Sequence, residues 1–155
     1  MRDRVAPRDR HRAREAALQM LYEWEVGRFE PAEVAAAYWL TERAGGGVPL
    51  AVRALAEALA LGTIGSVSAI DPLISACADN WRLERMAAVD RAILRLAVFE
   101  LQRSGDVPHA VVIDEALELA RTFSTDDAVR FVNGVLDAVR LRLEAAPEGS
   151  GESGM

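Results

Sequence analysis

Six arginines lie close together near the start of the chain, in the stretch RDRVAPRDRHRAR that spans residues 2–14. Guanidinium groups stay charged and bind phosphate oxygens, so a cluster of them can hold a polyanion such as RNA. Asp3 and Asp9 reduce the charge of this stretch to +4, and since the whole chain carries −6, the other 141 residues carry −10. Such segregation is typical of a polyanion-binding arm on an acidic body, although short charged termini are also often only solvated.

A helix that continues out of this arm would place Arg10, Arg14, Leu18 and Tyr22 on one stripe, four residues apart. That combination suits single-stranded RNA, because arginines neutralise phosphates and an aromatic ring stacks on an unpaired base, which contributes about 1–3 kcal/mol. The spacing equally allows Tyr22 to pack at the edge of the core.

The chain has few side chains of the types that commonly act in catalysis. The histidines are His11 and His109, and the single cysteine is Cys77. Neither histidine has a partner at metal-ligand spacing, and the sequence motifs of zinc proteases, phosphate-binding loops and serine hydrolases are missing. Asp126 and Asp127 are adjacent carboxylates, but at a predicted helix start they favour capping over acid–base chemistry. The sequence therefore predicts no enzyme, no catalytic residue, no metal site and no cofactor.

The elements that must position these residues are all helical. Apolar residues recur at three- and four-residue spacing over residues 10–26 and after Pro108. Pro31 suits a helix start, the glycines at 45–47 end that helix, and a longer one is expected from about Pro49. No window shows the period of two that is typical of a strand. The pattern predicts an all-α fold of about seven helices joined by short connections.

Two pairs of residues predict details within the middle of the chain. Gly62 and Gly65 interrupt an apolar helical segment, which predicts that another helix packs closely against them. Asp71 and Pro72 predict that the chain restarts there, with a cap followed by the first residue of a helix.

The second half of the chain carries two further helix signals. The run VDRAILRLAVFEL, residues 89–101, is apolar nearly all round, which predicts a central, buried helix. Ser124, followed three residues later by Asp127, predicts a capping box that starts the last helix.

Length and composition favour one domain. A chain of 155 residues with 51% hydrophobic residues can bury a core without metals or disulfides. A single cysteine, no secretory signal and no run of 18 apolar residues lead us to expect a cytoplasmic protein outside the membrane. We expect a flexible basic arm over residues 1–9, a helical RNA-binding domain over 10–144 and a flexible tail over 145–155.

Four segments closely resemble the NusB family of bacterial transcription antitermination factors: RAREAALQMLYEWE, NWRLERMAAVDRAILRLAVFEL, VPHAVVIDEALELARTFSTDD and FVNGVLDAV. The resemblance runs from about His11 to Val139, and only residues 27–60 match in helical character alone. It implies two small helical bundles without enzymatic activity. It also implies binding to the boxA element of nascent ribosomal-RNA leader transcripts, together with the small-subunit ribosomal protein NusE, in the complex that makes RNA polymerase resistant to termination.

The same resemblance assigns functional residues. Those expected to bind RNA are Arg8, Arg10, Arg12, Arg14, Tyr22, Asp127 and Phe131, with packing in the core as the alternative for Phe131. Those expected to meet the protein partner, at the start of the central helix, are Glu84 and Asp90, with solvation as the alternative. Asn133 and Gly134 are expected to hold the bundle together, because a glycine lets another backbone approach.

Two other functions deserve comparison with this one. A helix-turn-helix protein that binds duplex DNA is disfavoured, because the body is acidic and lacks a basic recognition helix. The alternative is a helical protein-interaction module, since the N-terminal domains of certain ribosomal-RNA cytosine methyltransferases resemble the same family. The chain ends without a cofactor-binding domain, so we do not expect such an enzyme. Monomer and homodimer both stay open.

Overall fold

A computed structural model describes residues 5–41, 47–79, 82–103, 105 and 107–145. Within them lie seven α-helices: α1 (Pro7–Gly27), α2 (Pro31–Tyr38), α3 (Leu50–Gly65), α4 (Val67–Cys77), α5 (Ala88–Gln102), α6 (His109–Phe123) and α7 (Asp126–Ala145). A single 3₁₀ turn, Leu83–Arg85, lies between α4 and α5. No strand occurs in the described ranges, and the predicted all-α fold is confirmed.

Helix α5 lies at the centre of the molecule. It contacts α1, α3, α4, α6 and α7, so its apolar side chains are covered on all sides, which confirms the prediction of a central helix. Helices α1–α3 pack together as one group and α4–α7 as a second. The buried side chains of both groups join in one hydrophobic core.

The ends of the first helix differ from the prediction. Helix α1 begins at Pro7 rather than at residue 10, because a proline suits the first position of a helix. Gly27 is its last residue, and Arg28 takes the left-handed conformation, with φ of 60°, and donates its N–H to the carbonyl oxygen of Trp24 at 2.9 Å. Of the expected flexible arm and tail, residues 1–4 and 146–155 lie outside the described residues.

The prediction of a helix start at Asp71 and Pro72 is wrong. The chain breaks earlier, at Ser66, and α3 and α4 meet there at an angle of 75°. Pro72 lies inside α4. The Asp71 carboxylate does not cap a helix because both of its oxygens accept hydrogen bonds from Arg95 of α5, at 2.9 and 2.8 Å. Helix α2 also ends sooner than expected, at Tyr38, and residues 42–46 lie outside the described residues.

The predicted capping box of the last helix is wrong as well. Thr125 caps α7, because its Oγ1 accepts a hydrogen bond from the N–H of Ala128 at 3.1 Å. The Ser124 hydroxyl is turned away and donates to Oδ1 of Asp90 in α5 at 2.6 Å. The loop between α6 and α7 is therefore tied to the start of the central helix.

The glycines differ in their surroundings. A β-carbon at Gly62 would overlap the ring of Phe99 from α5, so the predicted close packing is confirmed there. It is wrong for Gly65 and Gly134, where a β-carbon would meet no atom within 4 Å. Asn133 and Gly134 are both exposed on α7, so the structure contradicts their expected role in holding the bundle together.

In the described part of the chain, no single helix has the length and apolar character needed to cross a membrane. Helices α3 and α4 together have that length and apolar character, but they form a pair that is bent by 75°.

Replacing Gly62 by Ala should destabilise the protein relative to replacing Gly65 by Ala. The expected difference is about 1–3 kcal/mol, the usual range for overpacking a core. Both changes add helix propensity, so their difference reports the contact with Phe99. Urea unfolding of the two variants measures it, and equal free energies of unfolding would show that the ring moves aside without loss.

Candidate nucleic-acid interface

Helices α1 and α6 run in the same direction and are linked through their side chains. His11, near the start of α1, meets Glu115 in the middle of α6, and near the ends of both helices Tyr22 and Phe123 line one hollow. Helix α5 runs the opposite way beside α1, since Arg14 meets Glu100 near the end of α5 while Val89, at its start, lines the same hollow. The three helices thus form one elongated face.

The basic end of this face is the first two turns of α1. Arg8 and Arg12 are exposed and Arg10 is partly exposed. All three therefore present guanidinium groups at the helix N-terminus, where the helix dipole adds positive potential.

Arg14 differs from the other arginines of the arm. Only 3% of it is exposed, and it binds Glu100 of α5 through two hydrogen bonds, at 2.7 and 2.8 Å. Burial alone would lower the pKa of Arg14, but the Glu100 carboxylate, with Glu115 nearby at 3.8 Å, raises it, so the side chain stays charged. The Arg14 guanidinium, expected to bind RNA, is therefore buried in an ion pair that joins α1 to α5 and is less accessible than those of Arg8, Arg10 and Arg12.

His11 forms the neighbouring link, between α1 and α6. Its Nδ1 lies 2.7 Å from a Glu115 carboxylate oxygen, and its Nε2 lies 3.0 Å from one of Glu15. The hydrogen bond with Glu115 and the charges of both carboxylates raise the pKa of His11, against a smaller lowering by burial. The protonated ring bridges the two carboxylates, because both of its nitrogens then donate.

The aromatic end of the face is a half-open hollow of about 400 Å³. Its lining comes from three helices and comprises Leu18, Gln19, Tyr22, Val89 and Phe123. The Tyr22 and Phe123 side chains are 41% and 37% exposed, so both rings are accessible to a ligand. Gln19 and Phe123 were missed in the sequence. The position of Gln19, three residues before Tyr22 on the same helix face, is the signal that could have indicated it.

The other two expected RNA-binding residues lie in the first turns of α7. The Asp127 side chain is 89% exposed and pairs with Arg130 of the same helix. Phe131 is half-buried and packs against the core. Both follow shortly after the Ser124 loop, which is tied to the start of α5 beside the hollow.

The two residues expected to meet a protein partner have different surroundings. The Glu84 side chain is 73% exposed and lies 3.9 Å from the exposed Arg82. Asp90 is half-buried and accepts the hydrogen bond from Ser124. The 3₁₀ turn that carries Glu84 is fixed by Arg91, which donates to the carbonyl oxygens of Leu83 and Met86, each at 2.8 Å.

Among the described residues, no group of three or more His, Cys, Asp or Glu side chains could hold a metal ion. The face described above offers charged, aromatic and amide groups, which suit binding of an anionic, aromatic ligand.

Comparison with known proteins gives concordant matches. The model of the NusB family matches residues 11–140. The transcription antitermination protein NusB of Solibacter usitatus is 48% identical over 139 residues, which cover 84% of this chain and 88% of that protein. The structure of T. maritima NusB has a TM-score of 0.74 and 33% identity, and covers 96% of this chain and 99% of its own.

A further similar structure is a complex. The crystal structure of the antitermination factors NusB and NusE with dsRNA matches with a TM-score of 0.78 and 25% identity. The match covers 88% of this chain and 99% of that chain.

The free energy of unfolding should depend on pH through His11. Because its pKa is raised in the folded state, its ion pairs stabilise the protein fully below the unfolded-state pKa of about 6.5, and this stabilisation is lost as the pH rises through the folded-state pKa. His11→Gln should therefore destabilise the protein by about 0.5–1 kcal/mol near pH 5.5 and by much less near pH 8.5. Urea unfolding at both pH values measures this.

Glu115→Gln is the companion variant for this experiment, because it removes the closer carboxylate. The double variant should lose no more pH dependence than His11→Gln alone, whereas Glu115→Gln alone should keep the part due to Glu15. If His11→Gln lowers the free energy of unfolding by the same amount at both pH values, His11 stabilises the protein without its charge.

Proposed function

Because this chain belongs to the NusB family, we propose that it is a transcription antitermination factor that binds single-stranded boxA-type RNA of nascent ribosomal-RNA transcripts. It binds this RNA together with the ribosomal protein NusE, and acts in the complex that makes RNA polymerase resistant to termination. Its role is binding rather than catalysis.

One observation carries the RNA-binding part of this proposal. Arg8, Arg12 and Tyr22 lie on the same side of α1, with the two exposed arginines at one end and the hollow with two accessible aromatic rings at the other, whereas Arg10 lies about half a turn away from them at the helix start. Arg8 and Tyr22 are 14 residues apart on one helix, which corresponds to about 20 Å. At the spacing of about 3.4 Å between stacked bases, this face offers room for roughly six nucleotides.

The two ends of the face have complementary tasks. Arg8, Arg10 and Arg12 neutralise phosphates, which supplies affinity without sequence preference. Tyr22 and Phe123 offer their rings to bases, and a base can stack on a protein ring only where it is unpaired. This division supports single-stranded RNA as the ligand, and a competing RNA duplex should bind less tightly.

The residues at the start of α7 have a secondary part in this proposal. Asp127 repels phosphates, so it contributes only by accepting a hydrogen bond from a base or a ribose hydroxyl. Its pairing with Arg130 offsets part of that repulsion. Phe131 contributes the exposed edge of its half-buried ring.

The acidic body supports a basic protein partner. Residues 15–155 carry −10, and complementary potentials speed encounter and fix orientation. The 3₁₀ turn with Glu84 is exposed yet held rigidly by Arg91, so it can present a carboxylate without losing much entropy on binding. Glu84 is therefore the primary contact that we propose for NusE, and Asp90 supports it from within the fold.

Replacing Arg8, Arg10 and Arg12 together by alanine should flatten the salt dependence of RNA binding. Each phosphate contact to single-stranded RNA contributes roughly 0.7 to the slope of log K against log salt, so three contacts contribute about 2. Fluorescence anisotropy with a boxA-type RNA over a series of salt concentrations measures the slope.

Arg142→Ala is the control for this prediction. Arg142 is exposed in the last turn of α7, far along that helix from Asp127, and its loss should leave the slope unchanged. An unchanged slope in the triple variant would remove the arm from the interface.

Glu84→Arg should weaken binding of NusE by about fivefold, because it replaces an attraction by a repulsion at an exposed contact. RNA binding by the isolated chain should stay the same. Calorimetric titration with NusE measures the effect.

Glu33→Arg is the matched control, since Glu33 is also exposed but lies on α2, which packs on α1 and α3. If both variants bind NusE as tightly as the parent, the partner site lies elsewhere on the acidic body. If both lose affinity alike, net charge rather than the 3₁₀ turn determines partner binding.

A further inference from the structure

The hollow at the end of α1 contains a polar group that the fold itself does not use. The Oε1 atom of Gln19 is buried and has no hydrogen-bond partner within the described part of the chain. A buried acceptor without a partner destabilises a fold by about 1–3 kcal/mol, so such atoms are rare in native proteins. Gln19 is partly exposed and lines the hollow together with Tyr22 and Phe123, so a rotation of its amide presents this acceptor to a molecule that enters there.

The surroundings of Gln19 limit what that molecule can be. Tyr22 and Phe123 expose ring surface to the hollow, and Leu18 and Val89 add aliphatic surface. The volume of about 400 Å³ lies within the range of about 300–1,000 Å³ that is usual for pockets that bind small ligands. A flat aromatic ligand with a hydrogen-bond donor on its edge fits this combination.

We propose that this hollow is a base-recognition subsite, in which Gln19 identifies one unstacked adenine of the bound RNA. A glutamine amide matches adenine because its oxygen accepts from the N6 amino group while its nitrogen donates to N7. Tyr22 and Phe123 hold the base by stacking. The subsite thus makes Gln19 a specificity-determining residue, whereas the arginines of α1 bind phosphates of any sequence.

Two neighbouring features agree with a base rather than a phosphate at this place. Asp90 lies at the start of α5, next to Val89 of the hollow, and Asp127 lies shortly after the Ser124 loop. Carboxylates repel phosphates but tolerate the amino edge of a base. The basic turns of α1 lie about 20 Å away along the same helix, so the RNA backbone can follow α1 and turn one base inward.

The inference rests on the proposed function, and its test separates the two. A short single-stranded boxA-type RNA is prepared with each adenosine replaced in turn by purine riboside, which lacks the 6-amino group. Fluorescence anisotropy of the parent chain should show one position at which this replacement weakens binding by about tenfold, the order expected for one base contact. In Gln19→Leu, binding of the unmodified RNA should fall to the same level and the replacement should have no further effect.

The same substitution at Gln102, which is exposed at the end of α5, is the matched control and should leave every affinity unchanged. Thermal unfolding shows whether Gln19→Leu is folded, and we expect it to be at least as stable as the parent because an unpaired acceptor is removed. Phe123→Leu is a second variant, which should weaken binding of all RNAs that place a base in the hollow while keeping the preference for the amino group.

Three outcomes would overturn the subsite. In the first, purine riboside is tolerated at every position. In the second, Gln19→Leu still discriminates between adenosine and purine riboside. In the third, Gln19→Leu weakens binding of NusE while this discrimination stays intact, which would place the protein partner in the hollow. In each of these cases the salt dependence due to the arm would persist, and the proposed function would stand without the subsite. Failure of the parent to bind any RNA would overturn both.

Discussion

A helix that is apolar nearly all round is stable in water only inside a shell of other helices, and α5 imposes this constraint on the whole molecule. Five of the other six helices rest on it directly. The packing of Phe99 against Gly62 shows how closely α3 approaches, since no side chain fits between them. Because α5 occupies the centre, the faces left for binding are the outer sides of the helices around it.

The charged residues of α5 determine how that shell is oriented. Burying a charge is unfavourable unless a partner is present, so each charged residue needs a defined position for a neighbouring helix. Glu100 holds Arg14 of α1, and Arg95 holds Asp71 of α4. Arg91 fixes the 3₁₀ turn, and Asp90 fixes the loop before α7. Hydrophobic burial drives the association of the helices, and these directional contacts select their arrangement.

The same contacts separate the surface by charge. The ion pair of Arg14 and the bridge through His11 fix the start of α1 on α5 and α6, and Arg8 and Arg12 are left exposed there. At the other end of α1, the parallel course of α6 brings Phe123 to Tyr22. A basic end, an aromatic end and an acidic body are the three surfaces that the proposed complex of RNA and a basic protein requires.

The sequence by itself determined the helices, the burial of α5 and the basic arm, because periodicity and local charge are properties of neighbouring residues. It also indicated most of the candidate site through its resemblance to a family. Only the tertiary structure decided that Arg14 is buried while Arg8 and Arg12 are exposed, and that Ser124 binds Asp90 instead of capping α7. Only the tertiary structure brings Gln19 and Phe123, which are more than a hundred residues apart in the chain, to the same hollow. Helical spacing fixes which residues share a face, but which face meets another helix depends on partners that are distant in the chain.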